Sequence, residues 1–404
     1  MVKPERRTKA DVVAVAVIIA VIAVVAALIW WTSDARATDS RPAATPAPTS
    51  PVAREVPPAL KQLWTAASAA TDAPVVVGGT VVTGNGRSVE GRDPVNGEVR
   101  WSYARNRELC AVSWVYRYAV AVYPDVRGCG QVSTIDAATG RRGPARSSYA
   151  DKHVNVTSDG TTVLSAGQTR LELWRSDMVR MLSYGEIDAR VKPSARGLHS
   201  GCTLTSAAAS SSAVSVLEAC PEQAELRLTL LRPSKEEDEP EQRYVPQPGT
   251  TADSDARVLT VAETNTAVYL PSPRPRVEVV DGGGATVAST LLPRPPSPSS
   301  TVSRPGNVVT WWTGDAVLVF DAATLTYRYT VEPDGPHVPV GPGTLMAGRL
   351  LVPVTGGIGV YDPITGANER YLPVKREPYN GPVTLAVSGS QILEQRGDTI
   401  VALG

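Results

Sequence analysis

The sequence predicts an all-β domain, an eight-bladed β-propeller with seven blades as the alternative, preceded by one N-terminal transmembrane helix. Three observations carry this. A charge-free apolar run of about 20 residues lies near the N-terminus, long enough to cross a bilayer as a helix. From residue 60 onward a short Asp-turn pattern recurs about every 40 residues, the period of a four-stranded blade. The two ends of that region carry complementary strand runs that would close a ring.

The apolar run, VVAVAVIIAVIAVVAALIWW, extends from Val12 to Trp31. Lys3, Arg6, Arg7 and Lys9 precede it, whereas Asp34, Arg36 and Asp39 follow. The positive flank predicts that residues 1–11 stay in the cytoplasm and that the body of the chain lies outside, at the plasma membrane. Trp30 and Trp31 stand where indoles anchor at the headgroup level. Ala35, Arg36 and Ala37 form an A-x-A site, so cleavage after Ala37 is the rival reading. The run exceeds the ~7 to 15 residues of a signal-peptide core, which favours a retained anchor. Residues 32–59 are dominated by Ala, Thr, Ser and Pro, a composition that buries no core, and read as an extended stalk. Residues 60–404 remain for the folded domain.

Bulk properties exclude some functions. Lys plus Arg and Asp plus Glu balance at 40 each, so no global field draws the chain to nucleic acid. With 34 Pro, 33 Gly and a single Phe, the chain reads as turn-rich and built on aliphatic strands.

The repeat is a few strand residues, an Asp, a tight turn ending in Gly, and a second strand. Clear copies are VEGRDPVNGEVRW at Val89 to Trp101, STIDAATGRRG at Ser133 to Gly143, LVFDAATLTYRY at Leu318 to Tyr329 and GVYDPITGANERY at Gly359 to Tyr371. VEVVDGGGATV at Val277 to Val287 is weaker, and LELWRSDMVRMLSY and LRLTLLRP are degenerate. Asp accepts from amides ahead of it, and Gly takes the left-handed conformation that closes the turn, so the flanking runs pair antiparallel. Turn starts at Asp93, Asp136, Ser176, Pro233, Asp281, Asp321 and Asp362 recur about every 40 to 57 residues. The C-terminus, SGSQILEQRGDTIVALG, holds three strand runs and stops before its turn, while LKQLWTAASA from Leu60 opens with an unpaired one. Joining them completes an eighth blade.

The spacing of Asp93, Gly97 and Trp101, with TIDAATG and VYDPITG, resembles the tryptophan-docking repeat of the pyrroloquinoline-quinone-like (PQQ-like) propellers. The resemblance covers about residues 60 to 404 and implies the fold more than any one function. Relatives include quinoprotein dehydrogenases and the scaffold lipoprotein of the outer-membrane β-barrel assembly machinery. The alanine, valine, arginine and proline bias is similar to that of single-pass membrane proteins of high-GC Gram-positive (actinobacterial) bacteria.

Strand order then places the cysteines. Cys110 begins the innermost strand of blade 2 and Cys129 follows the second, and Cys202 and Cys220 sit alike in blade 4. Antiparallel neighbours bring such positions together, so Cys110 is expected to bond Cys129 and Cys202 to bond Cys220, in an oxidising compartment.

No catalytic constellation stands out. The dehydrogenases of the resembled family hold their quinone beneath a disulfide of adjacent cysteines, with Ca²⁺; no such pair is present, and no cofactor is expected. His153, His199 and His337 stand singly, without a second ligand at metal spacing. No G-x-S-x-G elbow occurs. Asp93, Asp136, Asp281, Asp321 and Asp362 read as turn-makers, and Trp64, Trp101 and Trp174 as outer-strand residues packed between blades.

Two features exceed the needs of the fold. One is the acidic run Lys235 to Glu241. The other is a Pro and Arg cluster, PSPRPR and LPRPPSPSSTVSRPG, whose Arg274, Arg276, Arg294 and Arg304 are the candidate partner surface on the face carrying the disulfides. The expected function is a non-catalytic protein-interaction scaffold for an envelope protein. A small-ligand binder or sensor using the central funnel is the alternative, and a quinoprotein oxidoreductase a more distant one.

Overall fold

The computed structural model describes residues 8–33, 36–186 and 201–404. Lys3, Arg6, Arg7, Asp34, Ala35 and His199 lie outside the described residues. A helix, Lys9–Thr32, is capped by Thr8 and Asp11 in a reciprocal capping box and leaves every side chain exposed. It is long and apolar enough to cross a membrane.

The rest is a ring of eight antiparallel sheets. Blades 1 to 7 span 75–105, 111–147, 155–185, 203–251, 257–291, 301–331 and 344–373, each a meander from the innermost strand outward. Blade 8 is composite: Val383–Ser388, Gln391–Arg396 and Thr399–Leu403 are completed by Gln62–Ala67 as outermost strand. Thr65 pairs with Val401 and Ala67 with Thr399. Lys61 and Gly404 exchange backbone hydrogen bonds of 3.0 and 3.1 Å. The ring therefore closes as the two chain ends predicted.

Strand composition follows position. The second strand of blade 6, Val308–Trp312, is buried throughout because neighbouring blades cover both its faces. The outermost strand of blade 5, Thr286–Leu291, is largely exposed. Among the described residues eight apolar clusters hold the ring, one in each cleft between blades. In the cleft between blades 1 and 2, Val82, Trp101, Tyr103, Ala121 and Ile135 meet.

Strand direction gives the ring two faces. First-to-second and third-to-fourth strand turns, including all five Asp turns, emerge on one, here called the turn face. Second-to-third turns and blade-to-blade connections emerge on the other, the disulfide face.

The Pro-rich segment expected as a free stalk is instead laid onto the ring. Thr38–Arg41 adds a fifth strand to blade 1, with Thr38 opposite Arg105 and Arg41 opposite Ser102. Ala43 N and Ala47 N donate to Thr139 O and Ala138 O on the turn face of blade 2. Ser50 contacts Ser388 in blade 8, and Arg370 of blade 7 donates to Val56 O at 3.0 Å. Val56 itself is buried in the cleft between blades 7 and 8. The physical reason is that an extended chain carries unpaired backbone groups, and the outer edge of blade 1 with its adjoining turns satisfies them.

Candidate functional site

The disulfide face is the less covered of the two, since the strap of residues 42–56 crosses the turn face from blade 2 to blade 7. Both expected disulfides form on it: Cys110–Cys129 with a Cα separation of 6.1 Å, and Cys202–Cys220 with 4.1 Å. Cys202, Glu218 and Cys220 lie close together, but both thiols are consumed by the bond and offer no metal ligand.

The four candidate arginines do not form one surface. Arg274 is exposed in the proline-braced loop between the second and third strands of blade 5. Arg276 turns back, donating to Glu278 Oε1 at 2.6 Å and to Ser272 O. Arg294 is exposed on the blade 5 to 6 connection and pairs with Asp315 on the same face. Arg304 lies on the opposite face. The short strand Thr301–Ser303 runs through the ring wall between the Pro-rich loop and Arg304, which carries it to the turn face. There its guanidinium donates to Val261 O at 2.5 Å and Ala322 O at 3.2 Å, pinning blade 5 to blade 6.

The acidic run also serves the fold in part. Glu237 accepts from Arg180 Nε at 2.9 Å, and its carbonyl accepts from Ser183 N at 2.7 Å, so the turn folds back on the outermost strand of blade 3.

The Asp residues make turns. Asp93 Oδ1 accepts from Val95 N at 2.8 Å, Asp281 from Gly283 N at 2.8 Å, and Asp362 from Ile364 N at 2.9 Å. Asp136 and Asp321 do the same with Thr139 N and Thr324 N. Backbone amides of the turn, with the Arg328 guanidinium, hold the Asp321 carboxyl well below its usual range. Trp64 lies on the outermost strand of blade 8 and Trp101 on the fourth strand of blade 1, which Thr38–Arg41 covers, and both pack between blades, whereas Trp174 lies on the third strand of blade 3, not the outermost. It donates from Nε1 to Glu172 Oε2 at 2.8 Å.

That glutamate belongs to a class the sequence reading missed. Glu172, Glu218 and Glu394 are buried carboxylates inside apolar strands, and each is met by arginine. Glu172 joins Arg146 of blade 2 at 3.1 Å to Arg180 of its own blade at 3.0 Å. Burial pushes its carboxyl up, but the Arg170 and Arg146 guanidiniums outweigh that and hold it down at about 2. Glu218 accepts from Tyr184 of blade 3 at 2.9 Å and Arg227 at 2.9 Å. Glu394 accepts from Arg376, beyond blade 7, at 2.7 Å. A Leu-Glu step within a strand run marks all three: Leu171, Leu217 and Leu393 precede them.

A cavity of about 740 Å³ occupies the ring centre, lined by innermost strands of several blades. Ser113, Asn155, Ser206 and Arg257 contribute polar groups, and His153 stands at its edge. Two buried polar atoms of its wall, Thr301 Oγ1 and Trp311 Nε1, have no hydrogen-bond partner among the described residues. His337 lies elsewhere, stacked on Tyr371 with centroids 3.8 Å apart.

Fold and face together define the class: an eight-bladed β-propeller bearing two disulfides and preceded by one apolar helix. Among solved structures it is similar to BamB from Moraxella catarrhalis, with a TM-score of 0.50 and 16% identity, over 85% of this chain and 99% of that one. It also matches the C-terminal WD40 domain of Sif2, with a TM-score of 0.49 and 12% identity, over 86% of this chain and 98% of that one. At such identity the likeness to BamB shows the fold alone. No family model matches the chain, and no curated protein matches it.

Proposed function

We propose that the protein is a membrane-anchored, extracytoplasmic β-propeller acting as a non-catalytic scaffold for an envelope protein. The observation that carries this reading is the pair of proline-braced loops at 271–275 and 292–300 on the disulfide face, presenting Arg274 and Arg294 to solvent. Such segments lose little conformational freedom on binding. Retention of Lys9–Thr32 as an anchor is favoured by its length, and the outward topology by the N-terminal Lys and Arg and by two disulfides. Fourth-strand aromatics docked on Asp turns of the next blade favour the PQQ-like repeat family, and composition favours a high-GC Gram-positive source.

The test is crosslinking in cells with the tagged full chain and its Arg274→Ala, Arg294→Ala double variant. Reduced capture of the partner protein is expected; equal capture would sink the surface. Quinone with Ca²⁺ and a dye acceptor should give no turnover, and turnover would overturn the non-catalytic reading. A second reading, binding of a small polar ligand such as a cell-wall sugar, is favoured by the central cavity with its two unpartnered groups. A thermal shift with wall saccharides that is lost in Trp311→Phe would support it.

A further inference from the structure

We propose that the rim of the disulfide face at blades 1 and 2 rests on the bilayer surface, where Arg87, Arg107, Arg127 and Lys152 engage anionic phospholipid headgroups. The proposal rests on the reading of Lys9–Thr32 as a retained membrane anchor.

The first argument is reach. A free stalk over 32–59 would hold the ring up to about 85 Å from the membrane in polyproline geometry. Because Thr38 is already paired to blade 1, only the steps from Thr32 to Thr38 separate helix from ring, at most about 20 Å of chain. The ring is therefore held against the bilayer.

The second is direction. Val99–Arg105 runs toward the disulfide face, and Thr38 pairs with Arg105 at that end. The chain thus joins the ring at the edge of the disulfide face, then climbs blade 1 and crosses the turn face as the strap. Arg36 and Ala37 share a surface hollow with Arg87 and Arg105, and Trp31 and Ser33 share another with Asn106 and Arg107. The Arg36 guanidinium lies 3.6 Å from the ring centroid of Trp31, an aromatic and cationic pair suited to the interface.

The third is the chemistry of the rim. Arg87 bonds the neutral Asn106 at 3.2 Å. Asp125 accepts from Arg127 N at 2.7 Å and Gln131 Nε2 at 2.6 Å, and pairs with Arg127 at 3.7 Å. Asp151 is turned inward onto Thr169 and Arg170 amides. Asp39, in the hollow with Arg87, is paired with Arg41 at 2.7 Å, and Glu108 is exposed beside Arg107. The Cys110–Cys129 disulfide ties the stretch after Arg107 to that after Arg127, and Cys129 N donates to Asp151 O at 2.9 Å beside Lys152. Three basic loops are thereby one stiff platform. At its tip Val126 is 97% exposed, an apolar residue with no place in the ring's core. Basic residues around an apolar tip, on a short tether to a membrane helix, suit the headgroup layer. Blades 5 and 6 lie across the ring from blades 1 and 2, so Arg274 and Arg294 are carried farthest from the bilayer and stay open to a partner.

The full chain is placed in nanodiscs of phosphatidylcholine alone or with about one third phosphatidylglycerol. A fluorophore on Val126→Cys is compared with one on Ile364→Cys, a turn-face residue 79% exposed, using headgroup nitroxide lipids as quencher. Val126 should be quenched several-fold more than Ile364, more strongly in the anionic discs, and less when Arg87, Arg107 and Lys152 are changed to Ala. Equal quenching at the two sites, or no dependence on anionic lipid, overturns the proposal. Should either Cys variant misfold, amine labelling of the unaltered chain replaces it: anionic discs should protect Lys152 and not Lys235, and equal protection overturns the proposal. Alkaline carbonate separates the two readings. Extraction of the chain from membranes refutes the anchor and this proposal with it, whereas a retained chain with unquenched Val126 refutes this proposal alone.

Discussion

Trp101 Nε1 of blade 1 donates to the carbonyl of Ala137 in blade 2 at 2.7 Å, with its side chain laid over Gly140 of the same turn. Trp64 does this to Pro94 and Gly97, and Tyr329 to Pro363 and Gly366, so one contact recurs at three clefts. Each acceptor follows the turn Asp. In blade 6 that acceptor, Ala322 O, is taken by Arg304.

Trp101→Ala should therefore cost about 3 to 5 kcal/mol, since a nearly inaccessible indole is lost from the cleft. Trp101→Phe should cost about 1 kcal/mol, removing one of the two donors to Ala137 O, which keeps Thr80 Oγ1 at 3.1 Å. Urea unfolding followed by circular dichroism checks both; no loss in Trp101→Phe would mean the hydrogen bond contributes nothing.

Glu172 sets an acid limit on stability. Its carboxyl titrates at about 2 in the folded chain against an ordinary 4.5, so its contribution is complete above 4.5 and is lost as pH falls toward 2. The contribution is on the order of 3 kcal/mol. Glu172→Gln should flatten the unfolding free energy between those pH values, and an unchanged slope would refute the assignment.

Removing the second disulfide as Cys202→Ser with Cys220→Ser should lower stability by about 3 kcal/mol in the chain-entropy picture. Denaturation with and without reductant distinguishes the bond from the substitutions: reductant should lower the stability of the parent chain by more than that of the variant, which keeps Cys110–Cys129.

Arg304→Ala and Arg274→Ala should part company. Losing Arg304 leaves Val261 O and Ala322 O without their donor and should destabilise by about 1 to 3 kcal/mol. Arg274, exposed on the other face, should change melting by less than about 0.5 kcal/mol while weakening partner capture. Calorimetry of the two single variants decides it.

Deleting 38–58 tests whether the strap belongs to the fold. A mere stalk would leave the melting temperature unchanged. A docked strap loses the edge strand on blade 1 and the burial of Val56, about 2 kcal/mol for that side chain, and melting should fall by several degrees.

The Pro-rich segment looked like a stalk because its composition buries almost nothing, yet backbone pairing with blade 1 requires no side-chain signal. Arg304 was placed with its neighbours in sequence because a strand as short as Thr301–Ser303 is lost inside a Pro and Ser run. The glutamates carried a faint mark, a charge within Val and Leu. Their partners stayed hidden: Arg146 lies on another blade, 26 residues from Glu172.

What the sequence by itself determined is therefore local: the apolar helix, the Asp turns, the blade period, and the pairing of Thr399–Leu403 with Gln62–Ala67. Each rests on neighbouring residues, on turn chemistry and on strands that need a partner. Only the tertiary structure decided which side chains face each other across a cleft, which face holds Arg304, and that the tether is short. Those depend on ring closure, which sets residues distant in the chain at contact distance and offers the segment before it an edge to pair with.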